Sequence, residues 1–216
     1  MFSESPTLPP GIVLDLQYLP SLEYFTALVK YERVHVEANE HFQKQTWRNR
    51  CQILTVQGID TLIVPVQEGR SKVLIREARI DYRQPWVNRH WRAIQSAYGK
   101  APFFEHYGEA IERVYQKRPA FLFDLNWELL TICLNSLRWK KIITFTEGYE
   151  ATPGQGFTEG RGVIHPKQPF AQRPFYQSVF YPQVFGEQFF PNLSILDLLF
   201  NQGPESKSIL RQSVAS

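Results

Sequence analysis

The sequence is short of the features that announce a function class. Cysteine occurs only twice, and Cys51 and Cys133 lie inside apolar segments without the close spacing of metal-binding pairs. They read as reduced core residues of a cytosolic protein, with a single disulfide the weaker option. No stretch reaches the ~18 apolar residues that a membrane helix needs, so no membrane insertion is expected. The opening MFSESPTLPP lacks a basic region followed by an apolar run, which leaves no secretory signal in view. A net charge of +3, spread along the chain, is too weak and too diffuse for the basic stripe of a dedicated nucleic-acid binder. There is no Gly-rich phosphate loop, no HExxH helix, no internal repeat and no low-complexity run. A soluble, cytoplasmic protein is expected.

What is present is a chain of 216 residues, enough for one well-filled core. Charged residues at 21% and hydrophobic ones at 43% are ordinary for a folded domain. Aromatics at 14% are not, and they serve equally to fill a core or to offer platforms to sugars and bases. Residues 1–10 hold three prolines and read as a flexible tail, with a single domain over 11–210.

The periodicity predicts an α/β fold, with a mixed sheet, an N-terminal β-α-β unit and a helical middle segment. GIVLDLQY suits a buried strand. SLEYFTALVK then repeats at helical spacing, with Ser21 placed to cap it. RVHVEA alternates like a strand with one buried face, and the first and third pieces would run parallel. CQILTVQGIDTLIVPV reads as two strands joined near Gln57 and Gly58, and SKVLIREARI as another strand. Helical period covers roughly 86–101, 104–117 and 125–139, before KKIITFTEGY returns to strand. Residues 150–192 are rich in glycine, proline and aromatics without a steady period. So long an irregular stretch is usually a functional loop, and its aromatics argue for packing onto the body.

Several stretches bear on chemistry. In WVNRHWRAIQSAY, Val87, Trp91, Ile94 and Tyr98 share a core-facing stripe, while His90 lies on the flank beside Ala93, Ala97 and Ala101. Either the alanines leave room for a ligand next to a histidine base, or they admit a neighbouring helix and His90 bonds to a backbone carbonyl. HFQKQTWRNRC gathers His41, Lys44, Gln45, Arg48, Asn49 and Arg50 around Phe42 and Trp47. Guanidinium groups with a stacking surface suit an anionic ligand, and a solvated basic loop is the alternative. HVEANEH offers His35, Glu37, Glu40 and His41, with His35 and Glu37 on one strand face; no metal is expected there, because His41 lies beyond the strand. In PNLSILDLLFNQGPES, Ser194 and Asp197 form a capping-box-like pair, and Asp197, if buried, needs a partner such as an arginine or a histidine. His165, held in extended chain by Pro166, is a candidate second acid/base group.

LQYLPSLEYF, HFQKQTWRNRC, LIVPVQEG, NRHWRAIQSAYGKAPFF, RGVIHPKQPF and YPQVFGEQFFPNLSILDLLFNQGPES together resemble the WbqC-like protein family, in its Bacteroidetes-type form. The resemblance covers nearly the whole chain, and departs between residues 150 and 180. It implies a place in O-antigen or surface-polysaccharide synthesis, with aminoacyl or acyl transfer to a nucleotide-linked amino sugar. Gln17, Asn49, Arg50, His90, Tyr98 and Asp197 stand within its recurring motifs.

In that reading His90 is the base, with Asp197 and His165 as further catalytic candidates. Asn49 or Gln17 steadies the oxyanion, Arg48 and Arg50 clamp phosphate with Lys44 nearby, and Trp47 or Tyr98 stacks on the ligand. The alternative is a non-catalytic binder of an anionic ligand, a nucleic acid or an assembly partner. The residues name no cofactor and no oligomeric state.

Overall fold

A computed structural model describes residues 9–67, 72–186 and 188–215, so the expected tail lies outside the described residues apart from Pro9 and Pro10. The predicted β-α-β unit is β1 (Gly11–Asp15), α1 (Leu22–Lys30) and β2 (Arg33–Glu37). The two strands pair in parallel, with Val13 opposite His35 and Asp15 opposite Glu37. β5 (Ile143–Phe145) adds beside β2, and β6 (Phe157–Glu159) adds on the far side of β1, both parallel. The order across this sheet is therefore β5-β2-β1-β6.

β3 (Arg50–Thr55) and β4 (Gly58–Ile63) form the expected hairpin, turning at Val56 and Gln57 with Gly58 at φ 103°. The chain thus holds parallel and antiparallel strands, in two separate sheets. The middle helices are α2 (Trp86–Tyr98), α3 (Phe104–Lys117) and α4 (Leu122–Ser136), and the chain closes with α5 (Ile195–Gln202) and α6 (Ser206–Gln212).

Side chains alternate across a strand, so the parallel sheet has two unlike faces. Ile12, Leu14, Val34 and Val36 are fully buried in the hydrophobic core. Val13, Asp15, His35 and Glu37 point the other way, and this second face carries the polar groups discussed below.

Three local expectations resolve differently. SKVLIREARI has strand-like composition, yet its described part forms a short 3-10 turn at Ile75–Glu77. The backbone bonds there go to scattered partners, Ile75 N–H to the Glu40 carbonyl and Ile80 N–H to the Ala120 carbonyl, so no ladder can build. Ser21 does not cap α1 through its side chain. The first donors of α1 are met from the far end of the sequence, Leu22 N–H by the Leu193 carbonyl and Glu23 N–H by Asn192 Oδ1 at 2.9 Å. Ser194 does cap α5, accepting from Leu196 N–H, while Asp197 is buried rather than turned back to complete the box.

Within the irregular 150–192 stretch, β6 escapes sequence reading because only Phe157 of its three residues is even half-buried. Its approach to β1 depends on Gly160. A Cβ there would lie 2.7 Å from the Val13 carbonyl oxygen and 2.8 Å from Ile12 and Leu14 side-chain carbons. Gly160 N–H also donates to that same carbonyl at 2.9 Å, so the contact cannot open without losing the bond. Gly160→Ala is expected to cost about 2 kcal/mol or more in urea unfolding; a loss within ~0.5 kcal/mol, the surface-substitution range, would mean that β6 is not held this way.

Candidate functional site

Ligands of open α/β sheets bind beyond the carboxyl ends of the strands, where the strand order reverses. Here the chain steps outward from β1 to β2 and β5, then returns to the other side of β1 as β6. The reversal therefore falls at β1 and β6. The residues ending these strands are Asp15, Glu37 and Glu159.

Asp15 and Glu37 are both fully buried, and each is matched by its own arginine. Arg48 lies between Asp15 and Glu40: Nε and Nη2 donate to the two Glu40 carboxylate oxygens at 2.7 and 2.6 Å, and Nη1 stands 3.7 Å from Asp15. Burial pushes the Glu40 carboxyl up, and the bonds and charge of Arg48 draw it back. Asp15 also accepts from Gly162 N–H at 2.7 Å and Gln17 Nε2 at 3.1 Å, which ties β1 to the loop after β6. Glu37 accepts from Asn39 N–H and Thr146 Oγ1 on one oxygen and from Arg161 Nη1, 2.8 Å away, on the other. Arg161 forks back onto Glu159 through Nε and Nη2.

Over the polar face of the sheet lies a pocket of about 470 Å³. Val13, His35 and Phe157 contribute to its lining, together with Glu37 and Arg161 from the strand ends and Glu147 and Glu150 from the segment after β5. The His35 and Phe157 ring centroids are 4.1 Å apart, and the Arg33 guanidinium sits 4.2 Å from the Phe157 centroid. Partial burial, then the Arg33 charge, lowers the His35 pKa, so its imidazole is neutral at pH 7. Among the described residues no group of three or more metal-type side chains converges.

Most of the residues singled out in the sequence fall into four places. Gln17, Arg48 and His165 gather around Asp15. Gln17 donates to Asp15 and to the Ile164 carbonyl, and half-buried His165 has its pKa lowered by burial and by the Lys167 and Arg48 charges. Arg48 is 1% exposed, so its guanidinium is a strut rather than an open phosphate clamp. Asn49 is buried with its amide donating to the Val64 carbonyl, whereas Lys44 is exposed.

Trp47 and Arg50 line a cleft of about 10 Å³, room for roughly one water. His90 is buried among aromatics, with Nδ1 2.9 Å from the Tyr18 hydroxyl, which bonds in turn to the Tyr115 hydroxyl, and with the Trp86 ring edge-on to it. Asp197 is fully buried in a fourth place. Tyr181 Oη and Gln183 Nε2 donate to it at 2.7 and 2.8 Å, so tyrosine and glutamine stand where an arginine or histidine was expected, and Tyr98, equally buried, accepts from Leu54 N–H at 3.0 Å instead of offering a stacking face. Sequence reasoning passed over Asp15 and Arg161. Asp15 was legible as the last residue of a strand running parallel to RVHVE; Arg161 opens the RGVIHPKQPF stretch, but nothing local shows that it pairs with a carboxylate of the sheet.

The fold and this pocket define an α/β domain with a polar cavity at the carboxyl edge of a parallel sheet. The chain belongs to the WbqC-like protein family, whose profile matches residues 17–157 and 171–209. It is 28% identical over 223 residues to a Mycobacterium tuberculosis protein named uncharacterized protein Rv1507c, across 92% of this chain and 96% of that one. No solved structure matches it significantly. Among the described residues, no helix is long and apolar enough to cross a membrane.

His90 carries a consequence for stability. Burial, as the largest cause, lowers its pKa to about 4 from an ordinary 6.5. The unfolded chain therefore binds more protons between these values, and the fold loses stability as pH falls from 6.5 towards 4, by about 3 kcal/mol in all. His90→Gln is expected to flatten that acid-side slope in urea unfolding measured at several pH values; an unchanged slope would place the proton uptake elsewhere.

Proposed function

We propose that the chain transfers an acyl or aminoacyl group to the amine of a nucleotide-linked amino sugar, with the amino sugar seated in the pocket over the polar face of the parallel sheet. The observation that carries this reading is an imidazole, His35, in one cavity with carboxylates. Glu37, Glu147 and Glu150 outnumber the Arg161 and Arg33 guanidinium groups beside them and favour an amine over a phosphate. His35 accepts the amine proton as the nitrogen attacks the acyl carbon, and the leaving group of an activated acyl donor departs with that proton. The pyrophosphate of the carrier stays outside the pocket. Family membership supports the surface-polysaccharide setting by analogy.

The reading moves the base from His90 to His35, because His90 already bonds to Tyr18 inside the core. A nucleic-acid role has less support, since Arg48, central to the basic segment, is committed to Glu40 and Asp15.

The test incubates UDP-linked amino sugars with acetyl and glycyl thioesters and follows the mass of the sugar product. His35→Ala should lower turnover by about 100-fold or more while leaving the unfolding midpoint nearly unchanged. Because its pKa is lowered, the enzyme's own limb of the pH–rate profile, once protonation of the substrate amine is allowed for, should lie below 6.5 if His35 is the base. Binding of the sugar without transfer would leave the non-catalytic binder as the reading, and full activity in His35→Ala would remove His35 as the base.

A further inference from the structure

We infer that Arg161 recognises the carbonyl oxygen of the acyl group, in the donor as it reacts and in the N-acylated sugar that results. The inference rests on the pocket being the sugar site. Arg161 belongs to the stretch between the two matched segments of the family profile, 158–170, and reaches into the pocket from the loop after β6. Its guanidinium is fixed before any ligand arrives. Nε and Nη2 fork onto Glu159, Nη1 donates to fully buried Glu37, and the Tyr149 ring lies over it at 5.0 Å. Arg161 N–H also bonds to Glu159 Oε1 at 2.8 Å, so backbone and side chain are locked to one partner.

A guanidinium has five N–H groups. These contacts use three, leaving one on each terminal nitrogen without a partner among the described residues. The side chain is only 8% exposed, so those donors have little access to bulk water and gain from a ligand acceptor. The choice of acceptor follows from charge. Two carboxylates flank one guanidinium, so a phosphate meets net negative charge, whereas a neutral carbonyl accepts two N–H bonds without that penalty. In the proposed transfer this carbonyl is that of the acyl group, where negative charge develops on oxygen as the amine attacks.

N-acetylglucosamine carries such a carbonyl and glucosamine carries the bare amine, so the two sugars serve as probes in NMR titrations of the labelled full chain. Arg161→Gln leaves Glu37 buried without its cation and risks the fold. Arg161→Lys keeps the charge but loses the fork, so its unfolding midpoint should stay close to that of the parent. Arg161→Lys is expected to weaken N-acetylglucosamine roughly tenfold while glucosamine changes by no more than about twofold.

Equal weakening of both sugars, unchanged N-acetylglucosamine binding in Arg161→Lys, or no binding of N-acetylglucosamine to the parent would each overturn the assignment. Failure of the parent to bind glucosamine or to transfer acyl groups, with the N-acetyl preference intact, would instead sink the transferase reading alone.

Discussion

Arg48, buried between Asp15 and Glu40, is the interaction on which the rest of the carboxyl edge depends. Each of these side chains is costly to bury alone, and the three are tolerable together because the guanidinium faces both carboxylates. Burial pushes the Glu40 carboxyl up, yet the bidentate bond to Arg48 favours its charged form, and we take the ion pair as the operative state. The pair is also wired outward. The Arg48 carbonyl accepts from Asn126 on α4, and Asp15 holds both Gln17 and the Gly162 N–H. Arg48 and Asp15 thus join β1, the 40–48 loop, α4 and the loop after β6.

That arrangement explains why the pocket is polar but not strongly charged. The inner pair satisfies Asp15 beneath the surface, and the outer pair of Arg161 with Glu37 satisfies the adjacent strand end. Glu159, the second carboxylate on Arg161, and the exposed Glu147 and Glu150 are left to give the site its sign. A neutral His35 on the floor completes a site suited to an uncharged or amine-bearing ligand. The basic segment, which in sequence looks like an anion receptor, supplies an internal counter-charge instead.

Much of the fold was legible. An apolar run placed β1, buried on both faces, and period-2 and period-3.6 patterns placed α1, β2, the hairpin and α2 to α4. β6 was not legible, since its three residues are mostly exposed and its place is set by the absence of a side chain at Gly160. The caps of α1 were hidden for a related reason: Asn192 and Leu193 come from the opposite end of the chain. At the site, sequence spacing put His35 and Glu37 on one face, residue type drew notice to Arg48 and His165, and the family resemblance added Gln17. It said nothing of which arginine would face which carboxylate. Long-range ion pairing such as Glu37 with Arg161, 124 positions apart, leaves no local pattern. His90 illustrates the converse, since a flank position beside alanines looks the same whether a ligand or the Tyr18 hydroxyl fills the space.

The central claim is that the buried Arg48 charge is held by Asp15 and Glu40 and organises the carboxyl edge of the sheet. Urea unfolding of Arg48→Met at pH 7 tests it most directly. Removing the guanidinium strands two buried carboxylates, and the account predicts a loss of roughly 3–5 kcal/mol, much of it recovered when Asp15→Asn and Glu40→Gln are added to the same chain. A loss below about 1 kcal/mol, the range of a solvent-exposed ion pair, would contradict it.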